Sequence, residues 1–123
     1  MGRGSTKFSG QAGEDIARRY LEDLGYQILA RNYRSGKKEI DLVALDQKEL
    51  VFIEVKAGKS KEYGEPELRV DNRKRKNLAE VAQAFLAETK IQYETCRFDV
   101  VGVDLLTDKV THYKRAFVLS AED

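Results

Sequence analysis

The sequence predicts one domain of the α/β (α+β) class, with a mixed β-sheet flanked by α-helices. Two segments repeat apolar residues at helical spacing, and five shorter apolar-rich segments have the length of strands. Their order along the chain is α, β, β, β, α, β, β, which packs helices against a central sheet. The chain has 123 residues, the size of a single domain, so we expect one core and one site.

The first helix is predicted at residues 10–24, where apolar residues recur on one helix face. Ser9 before it is a suitable N-cap, and Gly25 after it is a suitable end. The second helix is predicted at residues 72–89 and begins with a run of basic residues. Both helices therefore have an apolar side that can pack on a sheet.

The strands are predicted at residues 26–33, 39–45, 50–57, 96–106 and 110–119. Residues 46–49 are polar and join the second strand to the third in a tight hairpin. Residues 58–70 contain Gly64 and the only proline, Pro66, and we expect them to form a mobile loop.

Composition restricts the class of protein. Hydrophobic residues make up 41% of the chain and charged residues 35%, which excludes a membrane protein and a disordered chain. The net charge is only +1, so overall charge does not indicate a nucleic-acid partner. The basic residues are clustered at residues 31–38 and 69–76, however, so local basic patches are expected.

The domain is expected at residues 9–119, between a flexible N-terminus at residues 1–8 and a short acidic tail at residues 120–123. The N-terminus lacks the apolar stretch of a secretory signal, and no segment is long enough to span a bilayer. Cys96 is the only cysteine and is predicted to be a packed small side chain in a reducing compartment. We therefore expect a cytoplasmic protein with no membrane partner.

The predicted hairpin brings charged side chains together. Residues two apart on a strand share a face, which groups Glu39 with Asp41 on one strand and pairs Glu54 with Lys56 on the next. A turn centred on residues 47–48 sets Asp41 opposite Glu54. Two residues further from the turn, Glu39 lies opposite Lys56. The four charged groups then form one patch.

Two carboxylates that face each other repel, so the pair formed by Asp41 and Glu54 needs an explanation. One explanation is a shared divalent cation, because Mg²⁺ and Mn²⁺ prefer oxygen ligands and Mg²⁺ is commonly held by one or two protein carboxylates. The other is neutralisation by Lys56 in a salt bridge. From these residues alone the salt bridge is the simpler explanation.

The metal hypothesis assigns a role to each neighbour. A cation on Asp41 and Glu54 would activate a bound water and neutralise a scissile phosphate, with the backbone carbonyl of Val55 as a further ligand. Lys56 would orient or deprotonate that water, or stabilise the transition-state charge. Glu14 would complete the site if the first helix packs on the hairpin. Its alternative role is a favourable charge in a first helical turn.

Basic residues open the second helix, where backbone N–H groups also favour anions. The candidate phosphate contacts are Arg73, Lys74, Arg75 and Lys76. The alternative for this run is a solvated helix face. Tyr63 in the loop would stack on a base or pack on the protein surface. His112 has no second histidine or cysteine nearby in sequence, and we assign it no ligand role.

Five segments together resemble the YraN-like bacterial family. They are residues 13–17 (GEDIA), 38–44 (KEIDLVA), 51–56 (VFIEVK), 63–64 (YG) and 96–101 (CRFDVV). That family is placed in the PD-(D/E)XK nuclease superfamily, as a distant relative of archaeal Holliday junction resolvases. The resemblance extends from about Ser9 to Phe117.

This resemblance implies a restriction-endonuclease-like fold and a set of functional residues. The implied roles are metal ligation by Asp41 and Glu54, catalysis by Lys56, an accessory Glu14 and a DNA-facing Lys74. The proline in the superfamily name is replaced here by Ile40, which removes no functional group. The arginine that often follows Glu-x-Lys is absent at residues 57–58.

The expected function is a metal-dependent endonuclease, with Mg²⁺ or Mn²⁺ as cofactor, that hydrolyses DNA and acts on branched or distorted duplexes. A homodimer is expected from the resemblance to the resolvases. One alternative is a nucleic-acid-binding module of the same fold that cuts little or nothing. Another is an interaction protein that uses an exposed sheet edge.

Overall fold

The computed structural model describes residues 2–59 and 71–117, with side chains from residue 10 onward. Its elements are α1 (Gly2–Asp23), β1 (Gln27–Ser35), β2 (Lys38–Asp46), β3 (Glu49–Gly58), α2 (Asn72–Glu88), β4 (Thr95–Asp104) and β5 (Lys109–Phe117). This is the order of helices and strands that the sequence predicts.

The five strands form one sheet in the order β1-β2-β3-β4-β5. β3 and β4 are parallel, and the other neighbouring strands are antiparallel. α2 lies in the crossover from β3 to β4, because a parallel pair cannot be joined by a hairpin. The predicted α+β domain with a mixed sheet and flanking helices is confirmed, and it is consistent with a restriction-endonuclease-like fold.

The first helix begins earlier than the sequence predicts. α1 starts at Gly2, so Ser9 lies within the helix and is not its cap. A serine inside a helix costs less than about 0.7 kcal/mol, so it does not force a helix to start. The predicted end is correct: Gly25 adopts a left-handed φ of 96°, and its amide donates to the carbonyl of Glu22.

Cys96 is exposed, so its prediction as a packed side chain is wrong. It is the second residue of β4, and the buried part of that strand begins one residue later, at Arg97. The apolar residues that follow Cys96 in the sequence are buried, but they do not bury Cys96 itself.

Some predicted features lie outside the described residues. These are Tyr63 with the rest of the loop at residues 60–70, and the acidic tail at residues 120–123. In the part of the chain that the structure describes, neither helix is long and apolar enough to cross a membrane.

The sheet has a hydrophobic core on each face. On one face, Ile53 of β3 packs in a cluster with Leu21 of α1. On the other face, Phe52 packs in a cluster with Val81 and Phe85 of α2. Neighbouring residues of β3 thus enter different cores, which explains why this strand is continuously apolar rather than alternating.

A buried charged network lies on the α1 face, near the β2–β3 turn. Arg97 of β4 is 6% exposed, and its guanidinium donates to Asp99 at 3.0 Å and to Glu49 at 2.6 Å. Asp99 also accepts from Nε2 of His112 at 2.7 Å, while Nδ1 of His112 contacts the hydroxyl of Tyr20 at 3.1 Å. The network therefore joins α1, β3, β4 and β5.

Asp99 is ionised in this network despite its burial. Burial alone would raise its pKa, but hydrogen bonds from His112 and Arg97 outweigh burial and lower the pKa below its usual value. A buried carboxylate with this many donors is a stable structural charge, because its hydrogen-bonding capacity is met inside the protein.

α1 packs closely on β3 at Gly13. A Cβ atom added at Gly13 would overlap the Cβ of Ala57 and also touch Val55. Only a glycine lets the helix backbone approach this closely. The contact fixes the height of α1 above β3, and with it the position of the neighbouring Glu14.

We expect Gly13→Ala to destabilise the fold by about 1–3 kcal/mol, because the added methyl group forces α1 away from β3. Gly10→Ala is the matched control in the same helix, since a Cβ atom there meets nothing within 4 Å. That control should stabilise the helix by about 0.5–1 kcal/mol. Urea unfolding of both variants and the parent measures these changes, and equal stability of the two variants would contradict the close approach.

Candidate functional site

The β2–β3 hairpin opens at the end away from its turn. At the turn Asp46 lies opposite Glu49, which confirms the predicted register there, but the predicted pairs of Asp41 with Glu54 and of Glu39 with Lys56 lie beyond the paired segment. The paired segment ends where Leu42 lies opposite Ile53. The next residue on each strand is a carboxylate, Asp41 on β2 and Glu54 on β3, so both acids lie where the strands separate.

Asp41 bonds to the main chain of β3 through its side chain. Its Oδ2 accepts from the amide of Val55 at 2.7 Å in a partly buried position. Its carboxyl group is also hydrogen-bonded to Glu54. Burial, together with the negative charge of Glu54, raises the pKa of Asp41 from 3.8 to about 8. Both effects favour the protonated form of Asp41 over the carboxylate.

Glu54 is paired with a lysine from outside the hairpin. Its side chain is 10% exposed, and its Oε2 lies 3.1 Å from Nζ of Lys74 in the first turn of α2. The salt-bridge hypothesis from the sequence instead used Lys56, two residues along β3. Lys56 lines the same cleft, so one lysine from the strand and one from the helix are near the carboxylates.

Glu14 reaches the site from α1. Asn32 of β1 donates through Nδ2 to both carboxylate oxygens of Glu14, at 3.0 and 3.1 Å. Asn32 has a φ of 51°, a left-handed conformation that asparagine tolerates better than most residues. Burial raises the pKa of Glu14, and the hydrogen bond from Asn32 opposes that rise. Glu14 is thus held in place by the strand next to the hairpin.

These groups line one open cleft of about 560 Å³. Its wall includes the predicted site residues Glu14, Asp41, Glu54, Val55, Lys56 and Lys74. They come from α1, β2, β3 and α2, so the cleft forms only when both helices dock on the sheet. The fold brings these sequence candidates together at one place.

The other members of the basic run point elsewhere. Arg73 and Lys76 are exposed and are not among the described residues that line the cleft. The guanidinium of Arg75 lies over the ring of Phe117, 5.4 Å from its centroid. Successive helical side chains are about 100° apart, so a run of basic residues cannot face one ligand together. Tyr63 lies outside the described residues.

Sequence reasoning missed several polar residues of this site. They are Asn32, Lys37, Lys38 and Asn77. The signal for the two lysines was the basic cluster at residues 31–38, and Lys38 also forms an ion pair with Glu80 of α2. Asn32 carries no comparable signal, because its role depends on a left-handed backbone and on a helix far away in sequence.

The donor atoms near Asp41 and Glu54 suit a hard divalent cation. They are the two carboxylates and the main-chain carbonyl of Val55, all of them oxygen. Among the described residues, no group of three His, Cys, Asp or Glu side chains is arranged as a metal site. A cation here would therefore rely on two carboxylates, the number that Mg²⁺ commonly uses together with waters and phosphate oxygens. The raised pKa of Asp41 also fits, since a cation would replace its proton.

Comparison with known sequences identifies one family. The model of the Uncharacterised protein family UPF0102 matches residues 13–103, a range that contains the whole candidate site. A UPF0102 protein of Geotalea daltonii is 38% identical and covers 97% of this chain and 96% of its own length. A UPF0102 protein of Moorella thermoacetica is 47% identical over 76% of this chain and 78% of its own length.

Comparison with solved structures gives a weak likeness. The structure of Pyrococcus furiosus SfsA in complex with Ca²⁺ shares 17% identity and covers 89% of this chain and 63% of that chain. The TM-score is 0.33, too low to support an argument about function.

We expect Asp41→Asn to stabilise the protein in buffer containing EDTA. The folded-state pKa of Asp41 lies above its ordinary value, so the stability contributed by its proton is present at low pH and is lost as pH rises from 3.8 to about 8. The variant has no proton to lose, so its advantage should grow over that range, to about 1–3 kcal/mol. Chemical unfolding at several pH values measures the difference.

Asp46→Asn makes the same chemical change at the other end of β2. Asp46 lies 3.2 Å from the guanidinium of Arg97, so this control should destabilise the protein, by about 0.5–1.5 kcal/mol. If Asp41→Asn and Asp46→Asn stabilise the protein equally at every pH, the prediction is wrong. Asp41 would then be no less favourably placed as a carboxylate than Asp46.

Proposed function

This chain belongs to the Uncharacterised protein family UPF0102, and from the geometry of its cleft we propose that it is a metal-dependent endonuclease. The reaction is hydrolysis of a phosphodiester bond in DNA, with Mg²⁺ or Mn²⁺ as cofactor. The observation that carries the proposal is the contact between Asp41 and Glu54 at the open end of the hairpin, where burial and the charge of Glu54 raise the pKa of Asp41.

Two opposed carboxylates are costly unless a cation compensates them. Asp41, Glu54 and the Val55 carbonyl would hold a divalent ion, which supplies an activated water and neutralises charge on a phosphate. The fold brings these two acids into hydrogen-bond contact, where burial and the charge of Glu54 raise the pKa of Asp41. This close contact between two carboxyl groups favours a metal-binding role.

The remaining cleft residues have roles that fit hydrolysis. Lys56 shares its strand face with Glu54, where its ammonium would orient the attacking water or stabilise charge on the phosphate. Glu14, fixed by Asn32, presents a third carboxylate to the same cleft. Lys37 and Lys38 line the cleft and would attract the phosphate backbone.

The substrate and setting follow from the resemblance to the resolvase group. Branched or distorted DNA, a homodimer and a cytoplasmic location are parts of this proposal. The lysines of the cleft support a polyanionic partner, although the net charge of the chain is only +1.

One observation favours a second function, a nucleic-acid-binding module of the same fold that cuts little or nothing. Glu54 already has a partner in Lys74, so a cation would compete with that lysine for the carboxylate. In this alternative the Glu54–Lys74 pair is permanent and the basic residues bind phosphate. Cation binding decides between the two functions.

We expect Glu54→Gln to weaken Mn²⁺ binding by more than about tenfold, because it removes one of two charged ligands. Calorimetry measures the affinity, and cleavage of labelled four-way junction and duplex DNA should be lost in parallel. Glu94→Gln is the control, since that side chain is 68% exposed and pairs with Lys48 away from the cleft. If the parent binds no cation even with DNA present, and cuts neither substrate, the endonuclease proposal fails.

Lys56→Met should separate cation binding from chemistry. We expect cleavage to fall by about 10²–10⁴-fold, because the ammonium acts on the water or the phosphate, while Mn²⁺ affinity changes little. Single-turnover cleavage and calorimetry on the same preparation give the two values. A catalytic role for Lys56 would be contradicted if the variant lost much of its Mn²⁺ affinity and cleavage fell by no more than that loss of affinity explains.

A further inference from the structure

Lys74 neutralises Glu54 by contact across two elements. Its Nζ lies 3.1 Å from Oε2 of Glu54, which belongs to the strand at the centre of the sheet. The two partners differ in exposure: the Glu54 side chain is 10% exposed and the Lys74 side chain is 44% exposed. The carboxylate is therefore fixed inside the cleft, while the lysine reaches it from the solvent side.

The backbone of Lys74 is held at the amino end of α2, while its side chain is 44% exposed. Asp71 caps α2 and accepts from the amide of Lys74 at 2.8 Å. The long side chain leaves this fixed point beside the amino end of the helix, where the helix dipole favours anions. The Lys74 side chain itself lines the cleft, beside the place where a ligand would enter.

A cation between Asp41 and Glu54 would compete with Lys74 for the same carboxylate. The double charge of the cation would also repel the Lys74 ammonium. The half-exposed ion pair between Lys74 and Glu54 is too weak to resist this repulsion strongly. The contrast is Arg97, whose side chain is 5% exposed and shares three carboxylates near the turn. Arg97 is a permanent partner, whereas Lys74 is held loosely enough to be exchanged.

We propose that Lys74 is an exchangeable counter-ion that couples cation binding to phosphate binding. Lys74 holds Glu54 when no divalent cation is bound, and the arriving cation releases it toward a backbone phosphate of the nucleic acid. Cation and nucleic acid then strengthen each other's binding by the same factor, as linkage requires. This inference rests on the proposed function and adds a regulation of the same site.

The first test is calorimetry with Mn²⁺ alone. Lys74→Met keeps the apolar stem and removes the competing charge, so it should bind Mn²⁺ about two- to fivefold more tightly than the parent, the range set by an exposed ion pair. Lys76→Met is the matched control from the same basic run, because Lys76 is exposed and does not line the cleft among the described residues. It should bind Mn²⁺ as the parent does.

The second test is binding to a short fluorescein-labelled DNA duplex with and without Mn²⁺. Three proteins are compared: one without further substitution, one with Lys74→Met and one with Lys76→Met. All three also carry Lys56→Met so that the DNA stays intact, and fluorescence anisotropy gives the affinity. Lys74→Met should weaken DNA binding mainly when Mn²⁺ is present, by about two- to fivefold. Lys76→Met should weaken it equally in both conditions, as an ordinary surface charge does.

The outcomes separate this inference from the proposed function. Exchange is overturned if the parent binds Mn²⁺ and Lys74→Met binds it no more tightly, or if the DNA-binding loss in Lys74→Met is the same with and without Mn²⁺. The proposed endonuclease survives either result. Absence of Mn²⁺ binding by the parent, with DNA present or absent, overturns both.

Discussion

The buried pair of Arg97 and Asp99 is the interaction on which the rest of the structure depends. Arg97 binds carboxylates at the β2–β3 turn and a neighbour on its own strand, and Asp99 extends the contact to His112 of β5. Removing one partner would leave the other buried charge with fewer hydrogen bonds, a cost of about 1–3 kcal/mol. The pair thereby locks the hairpin onto β4 and holds the central strands in register.

The two ends of the hairpin differ in charge balance as a result. Near the turn, the carboxylates of Asp46, Glu49 and Asp99 each have a donor from Arg97, His112 or Arg115. At the open end, Asp41 and Glu54 face each other, and the nearest ion pair is made by a half-exposed lysine. A fold that is firmly closed at one end can tolerate repulsion at the other. This makes the open end the place where an ion or substrate can add stability.

The sequence was sufficient to predict the β2–β3 hairpin, but it was insufficient to predict which residues surround the two acids. Register depends on a local turn and on strand alternation, so the positions of Asp41 and Glu54 followed from counting outward from residues 47–48. The partners of these acids are set by how the helices dock. Lys74 was identified within a basic run, but its pairing with Glu54 depends on α2 crossing the sheet. Asn32 was missed because a left-handed residue far from Glu14 leaves no pattern in sequence.

The acidic side chains of the cleft are held more firmly than Lys74, and this difference has a structural cause. Asp41 is held by the Val55 amide, and Glu14 by Asn32 and by the close approach of α1 at Gly13. Lys74, in contrast, reaches Glu54 from the solvent side through a half-exposed side chain. Carboxylates that are already fixed would lower the ordering cost of binding the proposed cation. In the proposed exchange, the Lys74 ammonium would limit repulsion between the acids until a cation bound, so its contact with Glu54 would not obstruct the proposed chemistry.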